Sequence, residues 1–327
     1  MKKWMVLGLA CCLLLAAGCG EQKQETAVKT EKQVVLPYPE NMQKLGFTES
    51  VVLPKQPERV ISLANTPVLA LETLGVPQVG IPDTKILQWP DSLKQRAKLL
   101  QTGMRSNIDL ETVLTLKPDL VLVGAHAKDT YGKLLEREKI PVYYVAAGPA
   151  VPYEDVKALT LILADALGKN KPAAQKIKDD FAAMEQRLNQ QRKENQGKKV
   201  LVLQAAPPRF FLQNKNGTVG SMLELLGYTN VAPAAGGAMV PMNQETALSY
   251  EPDLLVCVSA MNGEDQQREA MEKEFQEHAA YWNHFAAVRQ GKVVYLPKWF
   301  AISGGLDELQ QLDALMQKLA ETEGARP

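Results

Sequence analysis

The three histidines of the 327-residue chain are the first candidates for ligand chemistry. His126 directly follows Leu120–Gly124, which has the apolar pattern of a buried strand, so we expect its imidazole at the rim of a cleft. There it can ligate a metal or contact an acidic group of a bound molecule; the alternative is a solvated loop histidine. His278 and His284 lie in a polar helical stretch that is typical of a surface. A bare metal ion needs several histidine or carboxylate ligands that converge, so it is not an expected ligand.

Further candidates follow strand-like segments in the second half of the chain. Arg209 can pair with a carboxylate of a bound molecule, although a plain surface charge fits the sequence equally well. Phe210 and Trp299 provide flat apolar walls of the kind that line pockets for large ligands. The sequence has no glycine-rich phosphate loop and no recognisable Ser-His-Asp spacing, so we expect neither an enzyme nor a catalytic cofactor.

The elements that must position these residues occur twice. Residues 111–121 read E-T-V-L-T-L-K-P-D-L-V, and residues 245–255 read E-T-A-L-S-Y-E-P-D-L-L. A second pair, L-E-T-L-G-V-P-Q-V at 71–79 and L-E-L-L-G-Y-T-N-V at 223–231, has the same order. Helix and strand signals alternate in both halves, which predicts parallel sheets covered on both faces. We therefore predict an α/β fold of two Rossmann-like lobes, with the ligand beyond the carboxyl ends of the strands, in the cleft between the lobes.

A long helix is predicted between the two halves, over Lys171 to Asn195. Apolar residues recur in it at helical spacing, and Pro172 occupies a first-turn position that favours proline. At 1.5 Å per residue the helix spans about 37 Å, enough to bridge two lobes. The alternative is a packing helix inside one lobe. The predicted boundaries are 50–152 for the N-terminal lobe, 153–196 for the connecting helices and 197–327 for the C-terminal lobe.

The N-terminus has the pattern of a bacterial lipoprotein signal. Lys2 and Lys3 precede the apolar stretch Met5–Ala17, which is too short to span a bilayer comfortably, and the residues A-A-G-C then end at Cys19. We predict a signal peptide over residues 1–18 and acyl chains on Cys19; the alternative is an ordinary secretory signal cleaved elsewhere.

Composition limits the partners and the location. Residues 19–49 are predicted to be a lipid-anchored flexible tether on the extracytoplasmic face of the membrane. The net charge is zero, so nucleic acid is not an expected partner. We also expect a monomer. Cys257 lies within an apolar strand pattern and is predicted to be a buried, inert thiol.

Several segments together carry a family resemblance. They are P-E-R-V-I-S-L from residue 57, L-E-T-L-G-V-P-Q-V-G-I at 71–81, the two E-T-x-L-x-x-x-P-D-L segments, and W-N-H-F-A-A-V-R-Q-G-K-V-V-Y-L at 282–296. In this combination the chain resembles the class III substrate-binding proteins of ABC importers, which carry siderophores, heme and cobalamin. The resemblance implies a two-lobed body with a bridging helix, and delivery of the cargo to a permease dimer with its ATPase.

Within that family, three segments are most similar to heme-receptor lipoproteins of Gram-positive bacteria: 101–111, 207–220 and 272–285. This resemblance implies that Met104 ligates heme iron. The histidine that supplies the partner ligand in those receptors has no counterpart here, where the loop reads S-A-M-N-G, so Met261 is the substitute soft ligand. His126 would then be an iron ligand or a propionate contact. The expected cargo is heme or another iron chelate, and a ferric siderophore or cobalamin is the alternative.

Two glutamates occupy matching positions in the repeats. Glu111 and Glu245 are 134 positions apart (245 − 111), each in the first turn of a predicted helix. Acidic residues favour that turn because of the helix dipole, by about 0.3–1 kcal/mol, which is the alternative explanation. The resemblance implies that both pair with arginines of the permease. Functions of another class that stay open are a membrane-tethered sensor and a chelatase-like enzyme.

Overall fold

The computed structural model describes residues 33–84, 87–102, 108–148, 150–234, 237–259, 263–302 and 304–324. The fold described below is that of the compact unit Lys32–Pro327. None of the helices in the described ranges is long and apolar enough to cross a membrane. Cys19 lies outside the described residues, so its acylation stays a prediction.

The first lobe is built on a five-stranded sheet in which every strand is parallel to its neighbours. Its strands are β3 (Val60–Ser62), β4 (Gln78–Pro82), β5 (Lys98–Leu100), β6 (Leu120–Gly124) and β7 (Val142–Val145). The spatial order is β5-β4-β3-β6-β7, and β6 is buried along its whole length. The chain leaves β3 toward one edge of the sheet and leaves β6 toward the other, so a crevice opens between them at the carboxyl ends.

Helices cover this sheet on both sides, as expected for parallel strands. They are α2 (Val68–Thr73), α3 (Asp91–Arg96), α4 (Leu110–Thr115), α5 (Lys133–Arg137) and α6 (Tyr153–Leu167). This part of the fold agrees with the sequence prediction.

The second lobe is built on a mixed sheet. Its strands are β8 (Lys199–Ala206), β9 (Arg209–Gln213), β10 (Thr229–Asn230), β11 (Met239–Pro241), β12 (Leu254–Ser259) and β13 (Val293–Leu296). β12 is parallel to β8 and β13, whereas β9 is antiparallel to β8 and to β11. The α/β two-lobe fold is confirmed, but the prediction of parallel strands is wrong for β9. The reason is local: β8 and β9 form a hairpin with Pro207 and Pro208 in its turn.

Six helices belong to the second lobe in the part of the chain that the structure describes. They are α8 (Thr218–Leu225), α9 (Gln244–Ala247), α10 (Glu264–Glu277), α11 (Ala279–Trp282), α12 (Ala286–Arg289) and α13 (Glu308–Gly324). Cys257 is fully buried in β12, as its apolar surroundings predict, and burial raises the pKa of its thiol.

The bridging helix α7 spans Lys171–Asn195, the range predicted from its periodicity. Its buried face is the predicted apolar stripe, Ala174, Ile177, Phe181, Met184 and Leu188. At its start the backbone N–H of Asn170 donates to the Leu74 carbonyl of the first lobe. At its end Arg192 Nε and Asn195 Nδ2 donate to the Leu225 and Leu226 carbonyls of the second lobe, at 2.8 and 3.0 Å. Both lobes are thus bonded to one stiff element.

The internal repeat of the sequence is a repeat in three dimensions. Asp109 begins α4 and Asn243 begins α9, and each side chain accepts a hydrogen bond from the backbone N–H three residues later, at 3.0 and 2.9 Å. These are N-caps, which satisfy donors that a helix leaves unpaired.

The ends of the repeated segments also match. Lys117 and Glu251, each followed by proline, both have positive φ, 47° and 44°. Asp119 and Asp253 then accept backbone N–H bonds at the start of the neighbouring strand, from Arg59, just before β3, at 2.9 Å and from Lys199 of β8 at 2.8 Å. Each lobe therefore joins its capped helix to its central strand in the same way.

The folded body begins earlier than the predicted lobe boundary at residue 50. β1 (Val34–Leu36) pairs with β2 (Val51–Leu53), and α1 (Glu40–Lys44) lies between them. Tyr38 is buried and stacks on Tyr143 with a ring-centroid distance of 4.7 Å. Residues 34–47 thus pack against the first lobe, whereas the sequence predicts a tether over residues 19–49. The cause is the apolar content of this segment, in which Val34, Leu36, Tyr38, Met42 and Phe47 are buried.

Candidate ligand-binding site

The carboxyl ends of the first sheet form one edge of the candidate site. Thr66, which follows β3, is buried, and its Oγ1 donates to the Ala146 carbonyl after β7 at 3.2 Å. His126 lies on a short 3₁₀ turn directly after β6 and is exposed. Its ring packs over Gly124, where a Cβ would overlap it. The histidine therefore lies where the sequence places it, and its ligand role stays a prediction.

On the second lobe, the β8–β9 hairpin brings two exposed side chains to the carboxyl end of β8. Arg209 is the first residue of β9 and is exposed, opposite Ala206 in the register. The next residue, Phe210, points into the core and meets Trp282 edge to face, with centroids 5.4 Å apart. Phe211 is 39% exposed. The prediction of Phe210 as a pocket wall is therefore corrected: alternation along a strand turns Phe210 inward and Phe211 outward.

Trp299 lies between the two lobes, on a short 3₁₀ segment after β13. It lines a cavity of about 440 Å³, which we call the lobe-junction cavity. The first lobe contributes Leu69, Thr73, Leu87, Gln88 and Pro90 to its walls. The second lobe contributes Trp299, Leu306, Asp307 and Gln310. Trp299 thus lies next to both lobes, as expected for a residue of an inter-lobe site.

The predicted sulfur ligands cannot be placed, because Met104 and Met261 lie outside the described residues. Within the described ranges, no group of three or more histidine, cysteine or acidic residues is arranged to hold a metal ion. His278 contacts Glu274 Oε1 at 3.2 Å and His284 contacts the Tyr281 carbonyl at 3.2 Å, and both are exposed on the surface of the second lobe, as predicted.

Two acidic residues at the start of α13 are not among the site residues that the sequence predicts. Asp307 faces the lobe-junction cavity, and burial raises the pKa of its carboxyl to about 6. Glu308 is 1% exposed, and burial together with the nearby Asp307, Asp155 and Glu154 raises its pKa well above the ordinary value. The available signal was the segment G-G-L-D-E at 304–308, where two charges directly follow an apolar stretch and two glycines.

The two matched glutamates occupy equivalent positions. Glu111 lies in the first turn of α4 and Glu245 in the first turn of α9, and both are exposed. Each helix leads into the amino end of a central strand, β6 or β12. Its own N-terminus therefore points toward the carboxyl edge of the sheet. Each lobe thus carries one exposed carboxylate on the side where a ligand is expected.

Comparison with protein-family models gives a match over residues 60–299, to the family described as periplasmic binding protein. The matched range covers both sheets from β3 to β13 and includes α7.

Among curated proteins, the chain is similar to two from Bacillus subtilis (strain 168). It is 26% identical to the putative ABC transporter substrate-binding lipoprotein YhfQ, over 95% of this chain and 98% of that protein. It is 24% identical to the petrobactin-binding protein YclQ, over 95% of this chain and 97% of that protein.

Among solved structures, the chain is similar to Staphylococcus aureus IsdE complexed with heme. The TM-score is 0.61 at 20% identity, with 80% of this chain and 98% of that chain covered. The solved structure of YclQ is matched with a TM-score of 0.65 at 18% identity, over 89% and 99% of the two chains. At these identities the structural likeness shows the shared fold.

Proposed function

Because this chain belongs to the periplasmic binding protein family, we propose that it is the receptor of an ABC importer and that its cargo is an iron chelate. The resemblance to class III substrate-binding proteins is confirmed at the level of the family. Membership also makes the chain a binding protein and not an enzyme.

The choice of an iron chelate is supported by the similar proteins and by the exposed residues of the second lobe. One relative is named for binding petrobactin, and one similar structure contains heme. In this chain Arg209 can pair with acidic groups of a chelate, and Phe211 provides an exposed aromatic face beside it. A ferric siderophore brings its own oxygen ligands to the iron, whereas heme usually takes an axial side chain, for which Met104, Met261 and His126 are the candidates.

The observation that best supports delivery to a permease is the matched pair of exposed glutamates. Glu111 and Glu245 project from capped helices of the two lobes, in the same position of the repeat. A permease dimer presents two copies of one surface or two similar surfaces, so a receptor with one carboxylate per lobe fits a pair of arginines. We assign the permease-docking role to these two residues.

The anchoring proposed for the chain is a lipid-modified Cys19 on the outer face of the cell membrane. The A-A-G-C motif supports it, and the relative YhfQ is named a lipoprotein. Two or more acyl chains hold a protein on a bilayer firmly, whereas one binds only marginally. We expect the receptor to act as a monomer with its permease and ATPase.

Charge reversal tests the docking role. Cells that carry Glu111→Lys with Glu245→Lys are expected to lose uptake of the iron chelate, because two repulsive contacts replace two attractive ones. The purified double variant should bind the chelate as the unmodified protein does. A matched control reverses two exposed glutamates elsewhere, Glu138→Lys with Glu272→Lys, and should leave uptake unchanged. Normal uptake by the docking variant would remove this role.

A further inference from the structure

The lobe-junction cavity has the size and the lining of a small-molecule site. Its volume of about 440 Å³ lies within the roughly 300–1,000 Å³ typical of ligand pockets. Apolar side chains from both lobes form most of its wall, Leu69, Leu87, Pro90, Trp299 and Leu306. Thr73, Gln88 and Gln310 add neutral polar groups.

Asp307 is the only charged residue among the described residues that line this cavity. Its Oδ1 atom is buried and has no hydrogen-bond partner within the described part of the chain. The charges that act on the adjacent Glu308 are also acidic: Asp307 itself, and Asp155 and Glu154 from α6. The one lysine of that helix, Lys157, pairs instead with Glu154 and Glu185. Within the described part of the chain, the cavity therefore combines an apolar wall with a negative charge that no basic side chain compensates.

From this arrangement we propose that the lobe-junction cavity binds a small organic cation, a primary or quaternary ammonium on a short apolar chain. Asp307 pairs with the ammonium, and Trp299 packs against the chain and attracts the charge through its ring face. An ammonium group would supply a counter-charge that the described residues do not give Asp307, and it would offset the cost of burying that carboxylate.

The same lining excludes anions. Among the described residues of the wall, an acidic ligand would meet Asp307 and no base, so this lining is unsuited to the acidic groups that Arg209 can bind. The organic-cation site is thus chemically distinct from the place where we propose that an iron chelate binds. Because its walls come from both lobes, a bound cation would contact both lobes at once.

Calorimetric titration of the full chain, without iron chelate, tests this site with matched probes. n-Butylammonium is expected to bind at one site per chain, while n-butyrate, with the same chain and the opposite charge, should give no binding. Asp307→Asn should weaken n-butylammonium at least tenfold. Glu321→Gln removes an exposed acid at the far end of the same helix and should leave n-butylammonium binding unchanged.

The binding of n-butylammonium should weaken from pH 7.5 to pH 5, because protonation of Asp307 removes its charge.

A second variant separates the site from a general effect of surface charge. Gln310 is exposed at the cavity wall, so Gln310→Trp should fill the entrance and abolish binding while Asp307 stays in place. Equal affinity for n-butyrate and n-butylammonium, or full binding by Asp307→Asn or by Gln310→Trp, would overturn the proposal. The probes carry no iron, so the result does not depend on which chelate the receptor carries.

Discussion

At the scale of single residues, Glu308 is a buried acid whose ionisation would cost the fold stability. Both of its carboxylate oxygens are buried without a hydrogen-bond partner in the described ranges. An ionised carboxylate in such a place is costly, so the neutral form is favoured. Burial is the main cause of its raised pKa, and the acidic neighbours Asp307, Asp155 and Glu154 add to it.

This raised pKa predicts that acid stabilises the fold. Between the ordinary carboxyl pKa and the raised one, the folded chain binds more protons than the unfolded chain, so the free energy of unfolding falls as pH rises through that range. Asp307, with its pKa raised to about 6, acts in the same direction between its ordinary value and that pH.

Glu308→Gln keeps the shape of the side chain and removes its titration. Urea unfolding between about pH 5 and pH 8 should show a smaller loss of stability with rising pH in this variant than in the unmodified chain. Glu321→Gln, which changes an exposed acid of the same helix, should keep the original dependence. Identical pH profiles for the unmodified chain and Glu308→Gln would contradict this explanation.

At the scale of elements, the turn before α13 holds the C-terminal segment against the first lobe. Gly305 has φ of +89°, a conformation that side chains disfavour. A Cβ on Gly305 would also overlap the carbonyl oxygen of Thr66, in the loop after β3. The two lobes therefore approach here at a distance that only glycine permits.

Gly46 provides a matched control for this contact. It has the same φ of +89°, but open space surrounds the position of a Cβ. Gly305→Ala and Gly46→Ala should each lower the free energy of unfolding by about 1–3 kcal/mol because of the backbone conformation. Gly305→Ala should lower the free energy of unfolding by a further ~1–3 kcal/mol because the turn and the Thr66 loop must separate. Equal unfolding midpoints for the two variants in urea would show that the lobes do not meet tightly at this turn.

The elements that the sequence predicts well are those with strong periodicity. The bounds of α7 and β6 match the prediction, because a long apolar stripe and an uninterrupted apolar run each favour one type of element. The sequence does not predict residues 34–47 or β9, since a three-residue apolar run between polar and proline residues, or a strand after two prolines, gives a weak local signal. In the site, Arg209 is exposed and its binding role stays a prediction, whereas Phe210 is buried, because its orientation depends on the register of a hairpin.

At the scale of the whole molecule, the repeat explains how one chain presents two similar faces. Capped helices α4 and α9 carry one exposed glutamate each, and α7 is hydrogen-bonded at its two ends to different lobes. A rigid helical connector permits small rocking of the lobes and resists wide closure. The geometry suits a receptor that presents its cargo to a permease without a large change in shape.

The most direct test of this account is a titration of tryptophan fluorescence with hemin, a ferric siderophore and ferric citrate. We expect one of these chelates to quench the fluorescence at one equivalent per chain, because coloured iron chelates accept energy from nearby tryptophans. Arg209→Ala should weaken that binding at least tenfold, in line with the loss of a charge-assisted bond of about 1.5–3 kcal/mol. If hemin is the ligand, Met104→Ala should also alter its absorbance spectrum. Failure of all three chelates to bind at stoichiometric concentration would contradict the central claim that this chain is an iron-chelate receptor.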